Sequence, residues 1–302
     1  MGMTVRQKLT SGQTLSVEVA IPPQRRYQAV KLFFRSPQGV IGLGLATIMI
    51  IVAILAPLVA PYDPLSQDLT QKLKGFSHQH LLGTDQLGRD VLSRMLYGAQ
   101  ISLTTGLVSV IVGSVLGVLV GLVAGYFGGW LDIVCMGVVD VLLGFRTYLL
   151  AILIVAILGA SQFNLMVAIG LATFPQVARL IRSEVLSVKQ RDFVDAAYSL
   201  GAGNGRIMFK HVLPQVVSPL VVVATFNFAL AVTVESSLSF LGLGPPPPAP
   251  TWGMMIADGR KFILSSPLLP AIPGFAIMLT VLAFNMLGDT IRDVLDPRLR
   301  GR

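Results

Sequence analysis

The sequence predicts an all-α polytopic membrane protein with six transmembrane helices and both termini on the cytoplasmic side. Three observations carry this expectation. Apolar residues make up 53% of the chain and charged residues 13%, with a mean hydropathy of +0.73, whereas about a quarter of a soluble domain is charged. Several runs reach the roughly 18 apolar residues that a helix needs to cross a bilayer. With the N-terminus inside, sixteen Lys and Arg fall on the cytoplasmic side and six outside, leaving Arg146 within a span. That asymmetry orients helices in a bilayer. The net charge of +8 therefore sits beside apolar runs, which argues against a nucleic-acid partner and for a multi-pass membrane protein.

Taken in order, residues 1–38 form a cytoplasmic tail, the first 24 disordered and lacking the apolar stretch of a signal peptide. Arg25, Arg26, Lys31 and Arg35 precede a first span at 39–60, whose end is marked by Pro57 and Pro61. Residues 61–100 form an external loop with a short helix. Asp85, Arg89, Asp90 and Arg94 take helical spacing from Asp90, which reads as a surface helix with intrahelical ion pairs. His78 and His80 in this loop are expected to be solvated, with no metal site. The single Cys135 has no internal disulfide partner.

Residues 101–290 hold five further spans. In the second, Ile101 to Gly125, Gly113, Gly117, Gly121 and Gly125 fall on one helical stripe. Each lowers helix propensity, so close approach of another helix is the expected compensation, within the chain rather than across a dimer seam. Gly128-Gly129 breaks the chain before a third span, Ile133 to Leu158, which carries Asp140 and Arg146. Charges at membrane depth are costly unless they face protein or water; these two are candidates for lining a pathway or for a structural pair. The fourth span, Leu165 to Leu180, holds Pro175. The fifth, Val216 to Val234, ends near Glu235, a further pathway candidate. A proline-rich loop with Phe240, Leu241, Leu243 and Trp252 leads to the sixth span, Ala271 to Leu287, and a cytoplasmic tail, 291–302, whose helix Pro297 should stop.

Between the fourth and fifth spans lies a polar island, VKQRDFVDAAYSLGAGNGRIMFKHVLP, Val188 to Pro214. Asp192 reads as an N-cap with Asp195 at N3. Phe193, Ala197 and Leu200 fall on one face with Ala196 beside them, and Gly201 is placed to end the helix in the left-handed region. Gly203 and Gly205 read as a turn before a second short helix, Ile207 to Leu213, stopped at Pro214. The run GAGNGR lacks the P-loop pattern and a preceding strand, so nucleotide binding is assigned to other chains.

The stretch DAAYSLGAGNGRIMFKHVLP resembles the EAA loop of permease subunits of ATP-binding-cassette importers. Asp195, Ala196, Ala197, Gly201, Leu213 and Pro214 fill that frame, with Asp195 in place of Glu and His211 in place of Ile. HLLGTDQLGRDVLSRMLYGAQISL, ESSLSFLGLGPPPPAPTWGMMIADGR and TVLAFNMLGDTIRDVLDPRLR are similar to C-type permeases of dipeptide, oligopeptide and nickel importers, and the resemblance covers about residues 30 to 300. The resemblance implies a type I importer permease fold, with residues 182–215 as a cytoplasmic coupling loop. It also implies a second homologous permease subunit, two ATP-binding subunits that hold the ATP and Mg, and an external substrate-binding protein. This chain would itself be no enzyme and bind no cofactor. Phe145-Arg146 departs from the family's usual Phe-Pro pair, and a cation there is placed to meet a substrate carboxylate. A proton-coupled secondary transporter is the alternative; it needs no island of this form.

Overall fold

The computed structural model describes residues 3–8, 14–19 and 31–295. The C-terminal tail beyond Leu295, with Pro297, lies outside the described residues. Among the described residues, nine helices follow one another from residue 37: α1 (Pro37–Val59), α2 (Val91–Phe127), α3 (Gly129–Leu143), α4 (Thr147–Leu158), α5 (Gln162–Lys189), α6 (Asp192–Ser199), α7 (Asn204–Phe240), α8 (Trp252–Gly259) and α9 (Leu268–Leu295). Ahead of them, β1 (Met3–Lys8) and β2 (Thr14–Val19) pair antiparallel, Met3 opposite Val19. The sequence reading of a disordered stretch there is corrected: Met3, Val5 and Leu15, Val17, Val19 alternate with polar residues, the two-residue period of a strand.

Five helices, α1, α2, α5, α7 and α9, are long and apolar enough to cross a bilayer, and α3 with α4, bent by 96° at the break, makes a sixth if the pair is counted as one span. The sequence had predicted a continuous third span, and this is corrected: the chain breaks between Leu143 and Thr147. Gly144 is a poor helix former, Arg146 adopts an extended conformation as the cap of α4, and the chain turns between them. At about 1.5 Å per residue, α2 and α7, each of 37 residues, extend some 55 Å and overshoot a hydrocarbon core of about 30 Å at both ends. The bundle therefore has two polar ends. One carries residues 60–90 and 241–267 and is called here the loop end; the other carries α6 and is called the island end.

α2 and α5 form the closest helix pair, and the glycine stripe is the reason. A Cβ at Gly117 would lie 2.5 Å from Val177 Cβ, one at Gly121 2.4 Å from the Ala178 carbonyl, and one at Gly125 3.0 Å from Val185 Cβ. Gly170 of α5 returns the fit, its hypothetical Cβ falling 2.7 Å from Val112. The stripe packs against α5 of the same chain. On the opposite side of α2, Leu107, Ile111, Val115 and Leu119 are all about half exposed, an apolar row suited to lipid or to a partner's span. Around the α2–α5 pair, one apolar cluster joins α2, α5, α6 and α7 at the island end, and another joins α2, α7, α8 and α9 towards the loop end.

Candidate functional site

The island is built on α6 and the start of α7. Arg191, not Asp192, occupies the N-cap position, so Asp192 and Asp195 lie within the first turn without capping it; both still favour the positive end of the helix. The C-terminus closes as a Schellman motif. Gly201 N–H donates to the Tyr198 carbonyl at 2.9 Å and Ala202 N–H to the Ala197 carbonyl at 3.0 Å, the pairing that requires the left-handed residue supplied by Gly201 at φ 78°. The sequence reading of Gly201 holds.

The helix face is corrected by one residue. Val194 and Ala197 are the buried positions, packed on Val185, Val188 and Ile207, whereas Phe193, Ala196 and Leu200 point away, Leu200 being 88% exposed. Ala197 therefore seats α6 on the bundle, and Phe193, Ala196 and Leu200 form an uncovered apolar face one helical turn apart. The second island helix is corrected as well. It starts at Asn204, passes through a π turn at Met208–Val212 and continues without a stop into the span to Phe240. Pro214 is accommodated in the first turn after that change of register, where a missing N–H is tolerated. Leu213 and Pro214 thus belong to the root of α7, and Gly205 lies inside the helix rather than in a turn.

Four side chains at the island end were not singled out by sequence. The Tyr126 hydroxyl at the end of α2 lies 2.7 Å from that of Tyr198 in α6 and 3.3 Å from Asn204 Oδ1 in α7. Lys189 Nζ, at the end of α5, donates to the Tyr126 carbonyl at 2.7 Å. Nothing in their spacing marks them, because each comes from a different element.

Asp140 pairs with Arg179 of α5, not with Arg146. One level nearer the island end, Arg182 clamps Asp132 with Nε and Nη2 at 2.5 and 2.6 Å, a bidentate fork. Both partners of the Asp140–Arg179 pair remain 59% exposed on the surface of the chain. Arg146, at the break between α3 and α4, is exposed and makes no ion pair among the described residues.

Glu235 lies elsewhere. Its carboxylate is fully buried in α7, accepting from Ser239 Oγ at 2.8 Å and Ser236 Oγ at 3.2 Å. It opens onto no surface, contrary to the expectation of a pathway-lining acid.

The loop end holds a buried polar cluster where a surface helix was expected. Asp90 caps α2, accepting from Ser93 N–H at 2.7 Å, and its second oxygen lies 2.9 Å from His80 Nδ1. Asp85 Oδ2 takes Arg89 Nε at 2.6 Å and lies 3.4 Å from Arg94 Nη1; Arg89 reaches on to Asp258 of α8 at 3.9 Å. Asp85, Arg89, Asp90 and Arg94 are all at most 5% exposed. His80 is likewise enclosed, against Tyr62, rather than solvated. The fold of the loop explains this: Gly88, at φ 74°, passes so close to the Asp68 backbone that any Cβ would collide with its carbonyl, which draws 68–90 over the head of α2. Trp252 completes the cap, donating from Nε1 to the Met95 carbonyl at 3.1 Å. No group of three or more metal-ligating side chains occurs among the described residues.

A bundle of long apolar helices, charged on one membrane-depth face and carrying a helix-capped polar island at one end, defines a membrane transport subunit. Comparison with known proteins narrows the class. Residues 117–301 match the family model of the binding-protein-dependent transport system inner membrane component, and residues 26–78 that of the N-terminal transmembrane domain of oligopeptide transport permease C. The chain is 42% identical over 286 residues to the dipeptide transport system permease protein DppC of Alkalihalophilus pseudofirmus, covering 92% of this chain and 94% of that one. It is 45% identical over 255 residues to the glutathione transport system permease protein GsiD of Escherichia coli and of Shigella boydii, covering 84% of each chain. The chain belongs to the binding-protein-dependent transport family and is an ATP-binding-cassette importer permease of the oligopeptide permease C type, a multi-pass inner membrane component.

Proposed function

We propose that this permease forms half of the translocation pathway of an ATP-driven importer of peptides or similar small solutes, with dipeptides, glutathione-like peptides and nickel chelates as the candidate classes. A second homologous permease completes the pathway, two subunits on the cytoplasmic side bind ATP and Mg, and an external substrate-binding protein delivers the solute to the loop end. The island, residues 182–215, faces the cytoplasm with both termini and takes up the movement of the ATPases. The observation that carries the reading is the division of α6 into a seated face and an uncovered one. Val194 and Ala197 anchor it to the bundle, and Phe193, Ala196 and Leu200 are left to insert into a groove on a partner.

Asp140, paired with Arg179, and Arg146 line the pathway on this reading, because exposed charge at membrane depth is tolerated in a water-filled passage and not in lipid. Glu235 is instead an internal tie of α7, and the glycine stripe a packing seam. The test is uptake of a labelled dipeptide into vesicles holding the complete assembly. Uptake should require ATP, the ATPases and the binding protein together. Uptake driven by a pH gradient with the ATPases left out would overturn the proposal.

A further inference from the structure

Four elements of the island end meet at one point. Tyr126 is buried in the last turn of α2, its ring packed in the apolar cluster that holds Val185, Val188 and Val194. Its hydroxyl, that of Tyr198 and Asn204 Oδ1 form a triangle with sides of 2.7, 3.3 and 3.3 Å. Two hydroxyl protons serve three close contacts, so two bonds are made at a time and removal of either hydroxyl leaves at most one. Lys189 binds the Tyr126 carbonyl from α5 and lies 5.6 Å from the Tyr126 ring centroid. The ends of α2 and α5 are thereby tied together where α6 and α7 join them.

The apolar seat of α6 consists of two small or branched side chains, Val194 and Ala197. Such contacts hold the helix down but are non-directional, so they resist sliding weakly. Hydrogen bonds fix direction and register. We infer that the Tyr126–Tyr198–Asn204 triangle is the joint through which displacement of the island is passed to α2, and that Tyr126 is a positioning residue for coupled transport. This rests on the proposed role of the island in coupling. The far end of α2 is equally well gripped, by Asp90 as its cap, by the Arg94–Asp85 pair and by the bond from Trp252 to Met95. The glycine seam makes α2 and α5 one body between the two ends. A stroke delivered at Tyr198 therefore reaches the external loops along a single helix, and without the joint the island moves while α2 stays.

The experiment is made on the complete importer in vesicles, with ATP hydrolysis and solute uptake measured in the same preparation. Tyr126→Phe and Tyr198→Phe should each lower the solute moved per ATP by about fivefold, the factor that one hydrogen bond of ordinary strength commands, while assembly and hydrolysis persist. The double variant should fall further than either single one, because each single variant keeps one bond of the triangle to Asn204 and the double variant keeps none. Equal ratios in wild type and both variants, or a double variant no worse than either single one, would overturn the joint. If the tyrosine variants fail to assemble, Lys189→Met should lower the same ratio, and an unchanged ratio there would overturn it too. Leu200→Asp separates the joint from the reading on which it rests. It should abolish ATPase docking whatever the tyrosines do, and docking and uptake that survive it would sink the coupling role of the island itself.

Discussion

Gly121→Ala is the sharpest probe of the seam between α2 and α5. The added Cβ would stand 2.4 Å from the Ala178 carbonyl oxygen, 2.9 Å from Ile181 Cβ and 3.0 Å from the Arg182 amide nitrogen. The first of these is about 1 Å inside the 3.4 Å at which ordinary contact begins, and the atom is backbone, so no rotamer change relieves it. The two helices must separate locally, and overpacking of this kind costs about 1–3 kcal/mol. Alanine returns about 1 kcal/mol of helix propensity, leaving a net loss of about 2 kcal/mol at the upper end of that range. Gly137→Ala in α3 gains the same propensity with nothing within 4 Å of the new atom, and so should stabilise by up to about 1 kcal/mol.

The assay is thermal unfolding of the detergent-solubilised subunit, read as loss of the monodisperse species. The two variants should move in opposite directions, by roughly 2–4 °C per kcal/mol. Gly117→Ala, with 2.5 Å to Val177 Cβ, should follow Gly121→Ala closely, and Gly125→Ala, whose nearest contact is 3.0 Å, should be mildest. A Gly121→Ala midpoint at or above that of Gly137→Ala would refute the claim that α2 and α5 are in backbone contact.

Arg146→Gln should slow uptake of acidic peptides while leaving neutral ones near the wild-type rate, measured by competition between labelled substrates; an unchanged substrate range would remove Arg146 from the pathway. Asp140→Arg and Arg179→Asp should each impair uptake, and the combined exchange should recover part of the loss; failure of the exchange to recover any would mean that the charges act separately. Glu235→Ala leaves the Ser236 and Ser239 hydroxyls without their buried acceptor and should cost about 1–3 kcal/mol, whereas Glu235→Gln, which keeps an acceptor oxygen, should lower the unfolding midpoint far less. Asp85→Ala strands Arg89 and Arg94 in a buried site, and removal of one partner from such a cluster costs about 3–5 kcal/mol. That variant should be recovered from the membrane in markedly lower yield than Asp68→Ala, whose carboxylate is on the surface.

The spans, the glycine seam and the Gly201 cap were legible because each rests on a local rule: run length, four-residue spacing, and the one residue type that tolerates positive φ. Pairings between separate elements were not. Asp140 and Arg146 are near in sequence, yet Asp140 lies closer in space to Arg179, because α3 and α5 run side by side and the chain turns away at Gly144. The charged residues from Asp85 to Arg94 have helical spacing, but spacing does not show that the loop folds over them; that depends on Gly88 passing the Asp68 backbone, a contact twenty residues apart. On α6, a one-residue shift in the cap exchanged Phe193 and Leu200 for Val194 in the seat. Periodicity fixed how many faces the helix has, and only the packing of Val185 and Val188 decided which one is turned inward.

The unequal attachment of the elements bears on how such a subunit moves. α2 and α5 interlock through four glycines over about three turns, so they pack backbone against backbone. α3 is held differently. Val139 is its only buried residue, and its polar ties to α5 are the Asp132–Arg182 and Asp140–Arg179 pairs. An apolar seam loses contact area when it opens, but an ion pair in reach of water exchanges one partner for hydration at a small net difference. α3 can therefore shift against the core at low cost while α2, α5 and α7 remain one body, and α4 stays packed on α5 through Leu150, Ala151 and Val155. The charged face lies at the boundary between the rigid part and the loosely held one, where a passage that opens and closes would place it.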